Sequence, residues 1–289
     1  MSDAGDSATT VTTGGRGPRE NPPALDWSTI RLPGLNGDTV ALVTGGAGSL
    51  GWRATEALAG LGARVGVMGR SAEAVRSVID GAPEQIRQRL VPVPGDVSVQ
   101  ADAHAAVGTL VQRFGRLDVL VHCAAIGDTN TDIADLTVAE IDEMLAVNIK
   151  GTLLIAQAAA GPMRAAGRGS MILVASVGAF RVNPKGTVYG ATKAAVVRTA
   201  RQLAVDLGPD GVRVNALSPG QTPTLLRKVD EEPGTLSGSS RGGDAARIPL
   251  RRRGVLDDYA GVIAFLASDL SAYVTGVDLL VDGGVAVRR

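Results

Sequence analysis

The sequence is poor in the residues that build metal centres and disulfide-stabilised folds. Among its 289 residues there are one cysteine and two histidines. The single thiol, Cys123, excludes an intrachain disulfide and a thiolate metal cage. The histidines, His104 and His122, lie far apart in the chain, which disfavours a histidine-based metal site. We therefore expect no resident metal ion.

The sequence also lacks an excess of charge of either sign. Lys plus Arg and Asp plus Glu both number 29, so no net field would attract nucleic acid or an anionic membrane. One basic run stands out, residues 251–253. It favours a solvated loop or a contact between subunits over a site for a phosphate backbone.

Long apolar runs and a secretion signal are missing as well. No run approaches the roughly 20 apolar residues that a membrane-spanning helix needs. Residues 1–20 are rich in Ser, Thr, Gly and Asp and lack the apolar core of a signal peptide. We expect a cytoplasmic protein that has neither a nucleic-acid nor a membrane partner.

Glycine and small apolar residues are abundant instead. Gly occurs 38 times, and hydrophobic residues make up 45% of the chain, which is enough for one large packed domain. Residues 1–37 have a turn-forming composition and predict a flexible N-terminal extension. Residues 38–289 form the predicted domain. Within it, the Gly- and Ser-rich segment 221–247 follows a strand and is predicted to be a substrate lid.

Short apolar runs alternate with helical spacings throughout this domain. Residues 40–44 predict a buried strand, 49–61 a helix and 64–68 a second strand, which together form a βαβ unit with parallel strands. Further strands are predicted at 90–93, 119–122, 171–175, 212–217 and 277–281, and helices at 99–114, 137–166, 188–207 and 257–267. The pattern indicates a single doubly wound, Rossmann-like α/β domain, with a mostly parallel seven-stranded sheet covered by helices on both faces.

A glycine-rich turn joins the first strand to the first helix, with the sequence Thr44-Gly-Gly-Ala-Gly-Ser-Leu-Gly51. Glycines let the backbone approach a pyrophosphate, and the start of a helix offers unpaired N–H groups and the positive end of its dipole. A plain tight turn is the alternative interpretation. The position between this strand and this helix favours the phosphate site.

The end of the second strand bears on the choice of dinucleotide. Enzymes that use NAD generally place an Asp or Glu about 20 residues past the glycines, where it binds the ribose 2′-hydroxyl. Here the chain reads Met68-Gly-Arg-Ser71, without an acid. Arg70 can pair with a 2′-phosphate and stack on adenine, although an ordinary surface arginine is the alternative. The pattern favours NADP(H) over NAD(H).

A phenol and an ammonium group lie one helical turn apart in Tyr189-Gly-Ala-Thr-Lys193. Side chains at i and i+4 share a helix face, and a nearby ammonium stabilises phenolate, which lowers the tyrosine pKa towards the range of a general base. The same spacing arises often by chance. Ser176, at the end of a predicted strand, adds a hydroxyl that can polarise a substrate oxygen.

Taken together, these motifs resemble those of the short-chain dehydrogenase/reductase family over residues 38–286. The matching features are the glycine motif 44–51, Asp96, Asn148, Ser176, Tyr189, Lys193, Ser218-Pro-Gly220, Phe265-Leu-Ala-Ser-Asp269 and Val281-Asp-Gly-Gly284. The resemblance implies that Tyr189 exchanges a proton with a carbonyl or alcohol oxygen, and that Lys193 lowers its pKa and binds the nicotinamide ribose. It also implies that Ser176 orients the oxygen and that Asn148 holds a water in the proton relay.

The resemblance further implies an oxidoreductase that transfers a hydride between NADP(H) and a carbonyl or secondary alcohol. The cofactor residues it implies are Thr44, Gly45, Gly46, Gly48, Ser49, Leu50, Gly51, Arg70, Ser71, Asp96, Val97, Ala124, Ala125, Lys193, Pro219, Gly220, Thr222 and Thr224. Related proteins usually assemble through helices 137–166 and 187–208, which implies a homotetramer or dimer. The spacing of Tyr189 and Lys193 counts against the enoyl reductases of the superfamily, where these residues lie further apart.

The chain departs from the family pattern in three places. Ser49 stands where a glycine is usual, His122-Cys123-Ala124-Ala125 replaces Asn-Asn-Ala-Gly, and Thr222 replaces an Ile or Val that faces the nicotinamide amide. None removes a reacting group, but each bears on affinity or cofactor choice. His122 and Cys123 are interpreted as packing residues at the end of a buried strand.

Three other functions remain open from the sequence. They are a nucleotide-sensing or scaffold protein without turnover, an NAD-dependent alcohol dehydrogenase of the same fold, and a redox-linked epimerase or dehydratase. A sensor would not need Asn148, Ser176, Tyr189 and Lys193 together. The epimerases generally carry a larger C-terminal substrate domain. The substrate itself is not encoded in any motif.

Overall fold

The computed structural model describes residues 19–127, 131–182, 184–222 and 245–288. In these residues the strands are β1 (Val40–Thr44), β2 (Arg64–Gly69), β3 (Leu90–Pro94), β4 (Val119–His122), β5 (Gly169–Val174), β6 (Val212–Pro219) and β7 (Asp278–Val281). The helices are α1 (Ser49–Gly60), α2 (Ala72–Asp80), α3 (Glu84–Arg87), α4 (Gln100–Phe114), α5 (Val138–Leu145), α6 (Gly151–Ala166), α7 (Thr187–Leu207) and α8 (Leu256–Ala267).

The strands form one parallel sheet in the order β3-β2-β1-β4-β5-β6-β7. β1 is buried along its whole length, as expected for a strand covered on both faces. One apolar core lies between the sheet and α4, α6 and α7, and a second lies between the sheet and α1 and α8. The strand order reverses between β1 and β4, which opens a crevice at their carboxyl ends. The predicted fold class is confirmed.

Two helices between β2 and β3 were not expected from the sequence. The Ser71 side chain accepts a hydrogen bond from Ala74 N and so caps the start of α2, while Val75 and Ile79 are buried. From the sequence, Arg70 and Ser71 were predicted only to bind the cofactor, and no helix was predicted after them. The short spacing of apolar residues and the serine cap were the available signal.

The N-terminal extension is in contact with the body of the protein: Arg19 N donates to the Arg251 carbonyl at 3.0 Å, and further contacts follow from residue 25 onwards. Trp27 is 6% exposed and covers Gly60 at the end of α1. The Leu25 carbonyl accepts from the Arg53 guanidinium, which also binds Asp257 on α8. The domain boundary at residue 37 remains a prediction, but residues 25–35 pack against α1 and α8 rather than extending free.

One helical stretch is long and apolar enough to cross a membrane, although no such stretch was expected from the sequence. The helical residues Val138–Ala166 have a mean hydropathy of 1.3, and half of the window is buried. The buried part, including Ile155 and Met163, faces the core against the sheet. A core helix meets the same criterion as a membrane-spanning one, and α6 is a core helix.

Candidate active site

The glycine-rich turn after β1 is packed so closely that side chains are excluded. Gly45 has φ +64°, and a Cβ there would lie 2.8 Å from the Ala124 nitrogen. Gly46 donates to the Met68 carbonyl at 2.9 Å, and Gly51, in the first turn of α1, leaves no room for a Cβ against the Gly45 carbonyl. The backbone is therefore exposed to an approaching anion at a helix N-terminus. Gly48, Ser49 and Leu50 complete this turn.

The hydroxyl of Thr44 ties the turn to the end of β4. Its Oγ1 accepts from Ala124 N at 3.2 Å and lies 2.8 Å from His122 Nδ1. Burial and, to a smaller extent, the positive charge of Lys193 together lower the pKa of His122 to about 3. His122 is therefore a neutral imidazole at physiological pH. Burial also raises the pKa of Cys123 to about 12, which keeps the thiol protonated.

The residues predicted to bind the adenosine half lie at the ends of β2 and β3. Arg70 and Ser71 are exposed. The Asp96 carboxylate accepts from Ser98 N at 2.8 Å and from Ser98 Oγ at 2.7 Å, so one oxygen is committed to its own turn. Val97 is buried and packs against Gly151 at the start of α6. Arg70 and Ser71 follow the carboxyl end of β2, and their role in cofactor binding stays a prediction.

Helix α7 places the predicted phenol and ammonium groups on one face. Lys193 is 3% exposed, its Nζ donates to the Val174 carbonyl at 3.0 Å, and it lies 5.7 Å from the centroid of the Tyr189 ring. Burial lowers the pKa of Lys193 to about 8. The ammonium is held where its charge acts on the phenol, which favours phenolate.

The hydroxyl of Ser176 faces the same place. Ser176 follows β5, and its Oγ accepts from Gly178 N at 3.0 Å, so its own hydrogen remains available to a ligand. A Cβ placed on Gly178 would lie 3.4 Å from Ser176 Oγ and 3.6 Å from Tyr189 Cε1. Ser176 and Tyr189 therefore both border Gly178, in ordinary van der Waals contact with the position that a Cβ there would take.

Asn148 lies in a π-helical segment, Ala146–Lys150, between α5 and α6. This segment interrupts the helical region that the sequence predicts over 137–166. Asn148 is 1% exposed; its Oδ1 accepts from Ile126 N at 2.8 Å, and its Nδ2 donates to Ile126 O at 3.0 Å and Thr192 Oγ1 at 3.1 Å. π-helical turns within α-helices are frequently associated with functional sites.

Thr192 is a residue that sequence reasoning missed. Its hydroxyl accepts from Asn148 Nδ2 and donates to the Tyr189 carbonyl at 2.8 Å. It therefore joins the π segment to the first turn of α7, where Tyr189 lies. It stands inside the Tyr189–Lys193 motif, but the motif alone gives no signal that this position faces Asn148.

The carboxyl end of β6 forms the opposite wall. Pro219 is the last residue of β6, and Gly220 packs so closely on Asp282 that a Cβ would lie 2.6 Å from its Cα. The Thr222 hydroxyl contacts the hydroxyl of Tyr259, whose pKa burial raises to about 12. Tyr259 was not singled out from the sequence. Thr224 and most of the predicted lid, residues 223–244, lie outside the described residues.

The backbone and side-chain groups of this site fit a dinucleotide rather than a metal ion. Across residues 19–127, 131–182, 184–222 and 245–288, no group of three or more His, Cys, Asp or Glu side chains could hold a metal ion. The glycine turn admits backbone contact with a pyrophosphate, and Lys193, Tyr189 and Ser176 stand across the crevice from it. A dinucleotide site beside hydroxyl, phenol and ammonium groups defines the class as an oxidoreductase that uses NAD(P).

The particular family follows from comparison with known proteins. A family model described as enoyl-(acyl carrier protein) reductase matches residues 45–286. The chain is 36% identical over 255 residues to an L-rhamnose 1-dehydrogenase (NAD(P)(+)) from Sphingomonas, which covers 88% of this chain and 98% of that protein. The chain belongs to the short-chain dehydrogenase/reductase family and is an NAD(P)-dependent enzyme that acts on a CH–OH group.

Other relatives agree on the reaction but differ in substrate and cofactor. A D-threitol dehydrogenase from Mycolicibacterium smegmatis is 34% identical, over 86% of this chain and 93% of that protein. The crystal structure of a Burkholderia cenocepacia gluconate 5-dehydrogenase with NADP and tartrate has a TM-score of 0.77 at 29% identity, covering 91% of this chain and 99% of that one. A Brucella melitensis 3-ketoacyl-(acyl-carrier-protein) reductase complexed with NADH has a TM-score of 0.79 at 32% identity, covering 87% and 99%.

Proposed function

We propose that this protein transfers a hydride between NADP(H) and a carbonyl or secondary alcohol, with Tyr189 as the acid/base. The observation that carries this proposal is the buried Lys193 ammonium, fixed by the Val174 carbonyl at 3.0 Å and 5.7 Å from the Tyr189 ring. Ser176 faces the same position from β5. When bound, the nicotinamide gives or takes the hydride, and the proton is left to the protein.

Each residue then has a defined task in alcohol oxidation. The Ser176 hydroxyl donates to the substrate oxygen and orients it. The Tyr189 phenolate takes the hydroxyl proton, and Lys193 keeps the phenolate form accessible by its charge. Asn148, held by Ile126 and Thr192, fixes the π segment that borders the proton relay. In carbonyl reduction Tyr189 returns the proton to the same oxygen.

We also propose a preference for NADP(H), based on the residues that follow the carboxyl end of β2. Arg70 is exposed at the end of β2, and the chain places no acid between Met68 and Ser71. The Ser71 Oγ accepts from Ala74 N at 3.0 Å, and its rotatable hydroxyl hydrogen can still be donated to a phosphate. A guanidinium and a hydroxyl at a helix N-terminus favour a 2′-phosphate.

Substrate and assembly follow by similarity. The relatives act on L-rhamnose and D-threitol, so a small polyhydroxylated alcohol is the first substrate class to test.

Leu145, Leu153 and Val205 expose apolar side chains on α5, α6 and α7, which supports assembly into a dimer or tetramer through these helices. We place the protein in the cytoplasm. Light scattering of the purified chain measures its oligomeric state.

Replacing Tyr189 tests the mechanism. Tyr189→Phe removes only the phenolic oxygen, so we expect turnover to fall by about 10³-fold or more while NADPH still binds. Activity is followed by nicotinamide absorbance with sugars, polyols and their ketones, and binding by NADPH fluorescence. Tyr273→Phe is the matched control because Tyr273 is fully exposed. Full activity in Tyr189→Phe would refute this role, and NADPH binding without turnover in the wild-type chain on every substrate would favour a sensor.

A further inference from the structure

The buried imidazole of His122 has no part in the proton transfer proposed above. His122 ends β4, pairs in register with Thr44 of β1 and is 2% exposed. Its Nδ1 lies 2.8 Å from Thr44 Oγ1. Within the residues that the structure describes, its Nε2 is buried without a hydrogen-bond partner. The position is also one at which this chain departs from the family pattern.

The hydrogen bonds of Thr44 decide which nitrogen of His122 carries the proton. A hydroxyl has one hydrogen to donate, and Ala124 N already donates to Thr44 Oγ1 at 3.2 Å. If Nδ1 is unprotonated, the hydroxyl hydrogen of Thr44 goes to Nδ1 and only the Nε2–H is left unpaired. If Nδ1 carries the proton, both the hydroxyl hydrogen and the Nε2 lone pair lack partners in the described structure. The first tautomer leaves fewer buried groups unpaired and is favoured.

This tautomer determines how the hydroxyl group of Thr44 is oriented. When the Thr44 hydrogen points to Nδ1, a lone pair of its Oγ1 faces the Ala124 N–H. Ala124 is also the residue against which Gly45 packs, with only 2.8 Å between a hypothetical Cβ and the Ala124 nitrogen. The Thr44–Ala124 hydrogen bond therefore acts together with the backbone bond from Cys123 N to the Thr44 carbonyl in setting the separation between the end of β4 and the glycine turn.

We propose that His122 is a positioning residue for the dinucleotide: its unprotonated Nδ1 accepts from Thr44, which in turn holds Ala124 against the Gly45 turn. The inference rests on the proposed function in that the turn binds the dinucleotide. His122 acts through Thr44 and does not touch the reacting atoms. An amide oxygen in the same place would accept the same hydrogen, which is why the histidine can stand where the family has asparagine.

The first experiment reads the tautomer directly. The chain has two histidines, so a ¹⁵N-histidine long-range spectrum of the intact protein contains two imidazoles, and His104→Gln assigns them because His104 is exposed on α4. We expect the His122 signals of an Nε2–H imidazole that stays neutral at neutral pH. An Nδ1–H tautomer or an imidazolium would overturn the proposal. This measurement needs neither cofactor nor a His122 variant.

The second experiment exploits side-chain geometry. The amide of Asn reaches the position of Nδ1, whereas the amide of Gln reaches that of Nε2. We expect His122→Leu and His122→Gln to raise the dissociation constant of NADPH about tenfold, and His122→Asn to restore it to within about threefold of wild type. A Leu variant with wild-type affinity, or equal rescue by Gln and Asn, would overturn the proposal.

Thr44 supplies the internal control. If His122 acts through the Thr44 hydroxyl, His122→Leu should weaken NADPH binding much less in a Thr44→Val background than in the wild type. Additive effects would contradict this route. Should a variant fail to fold, the tautomer measurement still decides. A wild-type chain that binds neither NADPH nor NADH would instead refute the proposed function.

Discussion

The catalytic group and the adenosine edge lie at the same end of the sheet but are built differently. The proposed catalytic group comprises Asn148, Ser176, Tyr189 and Lys193, and the proposed adenosine edge comprises Arg70, Ser71 and Asp96. Asn148 and Lys193 are 1% and 3% exposed, and their polar atoms are bound to Ile126, Thr192 and Val174. Arg70 and Ser71 are exposed at the start of α2.

The difference shows which properties the fold itself determines. Asn148 and Lys193 are buried and hydrogen-bonded, as buried polar groups generally are, so both side chains are fixed before any ligand arrives, and burial lowers the pKa of Lys193. An exposed arginine loses side-chain freedom only when a ligand binds it. We therefore expect changes in the catalytic group to abolish chemistry, and changes at the adenosine edge to alter selectivity alone.

The largest expected effect is the loss of turnover in Lys193→Met. The variant keeps the length and packing of the side chain but removes the charge that stabilises the Tyr189 phenolate. We expect kcat to fall by about 10³-fold, measured by nicotinamide absorbance. Lys150→Met is the control, since Lys150 is exposed and should lose little activity.

The same variant tests the energetic consequence of burial. Burial lowers the pKa of Lys193 from 10.5 to about 8, so the folded chain binds its proton less tightly than the unfolded chain does. At pH 7 the charge opposes folding by about 3 kcal/mol at most, and this penalty disappears as pH rises from 8 to 10.5. Lys193→Met without cofactor should therefore be more stable than wild type in urea at pH 7, by a margin that shrinks towards pH 10.5. A margin independent of pH would contradict this account.

The next effect concerns His122, which is buried at the end of β4. The pKa of His122 is lowered from 6.5 to about 3, so between these values the unfolded chain binds a proton that the folded chain excludes. Stability should therefore fall as pH drops, by about 2 kcal/mol at pH 5. His122→Asn should lose this part of the acid sensitivity in urea unfolding at pH 7 and pH 5, whereas His104→Asn, at an exposed site, should retain it.

The sequence predicted those features whose signal is local. The alternation of apolar runs, the glycine turn at 44–51 and the pairing of Tyr189 with Lys193 all depend on residues within a few positions of one another. Their spacing is a direct consequence of strand and helix geometry. The structure accordingly places the seven strands where the sequence predicted them, while the catalytic roles remain proposals.

Apart from the two helices between β2 and β3, the features that were missed depend on contacts between residues distant in the chain. The bond between Asn148 and Thr192 joins residues 44 positions apart, and that between Thr44 and His122 joins residues 78 apart. No local pattern distinguishes Thr192 from any other threonine within a helix. The interpretation of His122 as a packing residue omitted its Nδ1, because only the register of β1 with β4 brings it to Thr44.

The smallest expected effect is the change of cofactor preference in Arg70→Asp. The substituted carboxylate would repel a 2′-phosphate and accept from a 2′-hydroxyl, as an acid does at this place in enzymes that use NAD. We expect the ratio of kcat/KM for NADP to that for NAD to fall by at least about tenfold, with kcat for NAD retained. Because Arg70 is exposed, the effect should weaken at high salt. Arg76→Asp makes the same charge change at an exposed position on α2 and should leave the ratio nearly constant; equal shifts in both variants would show a general field effect and refute a specific role for Arg70.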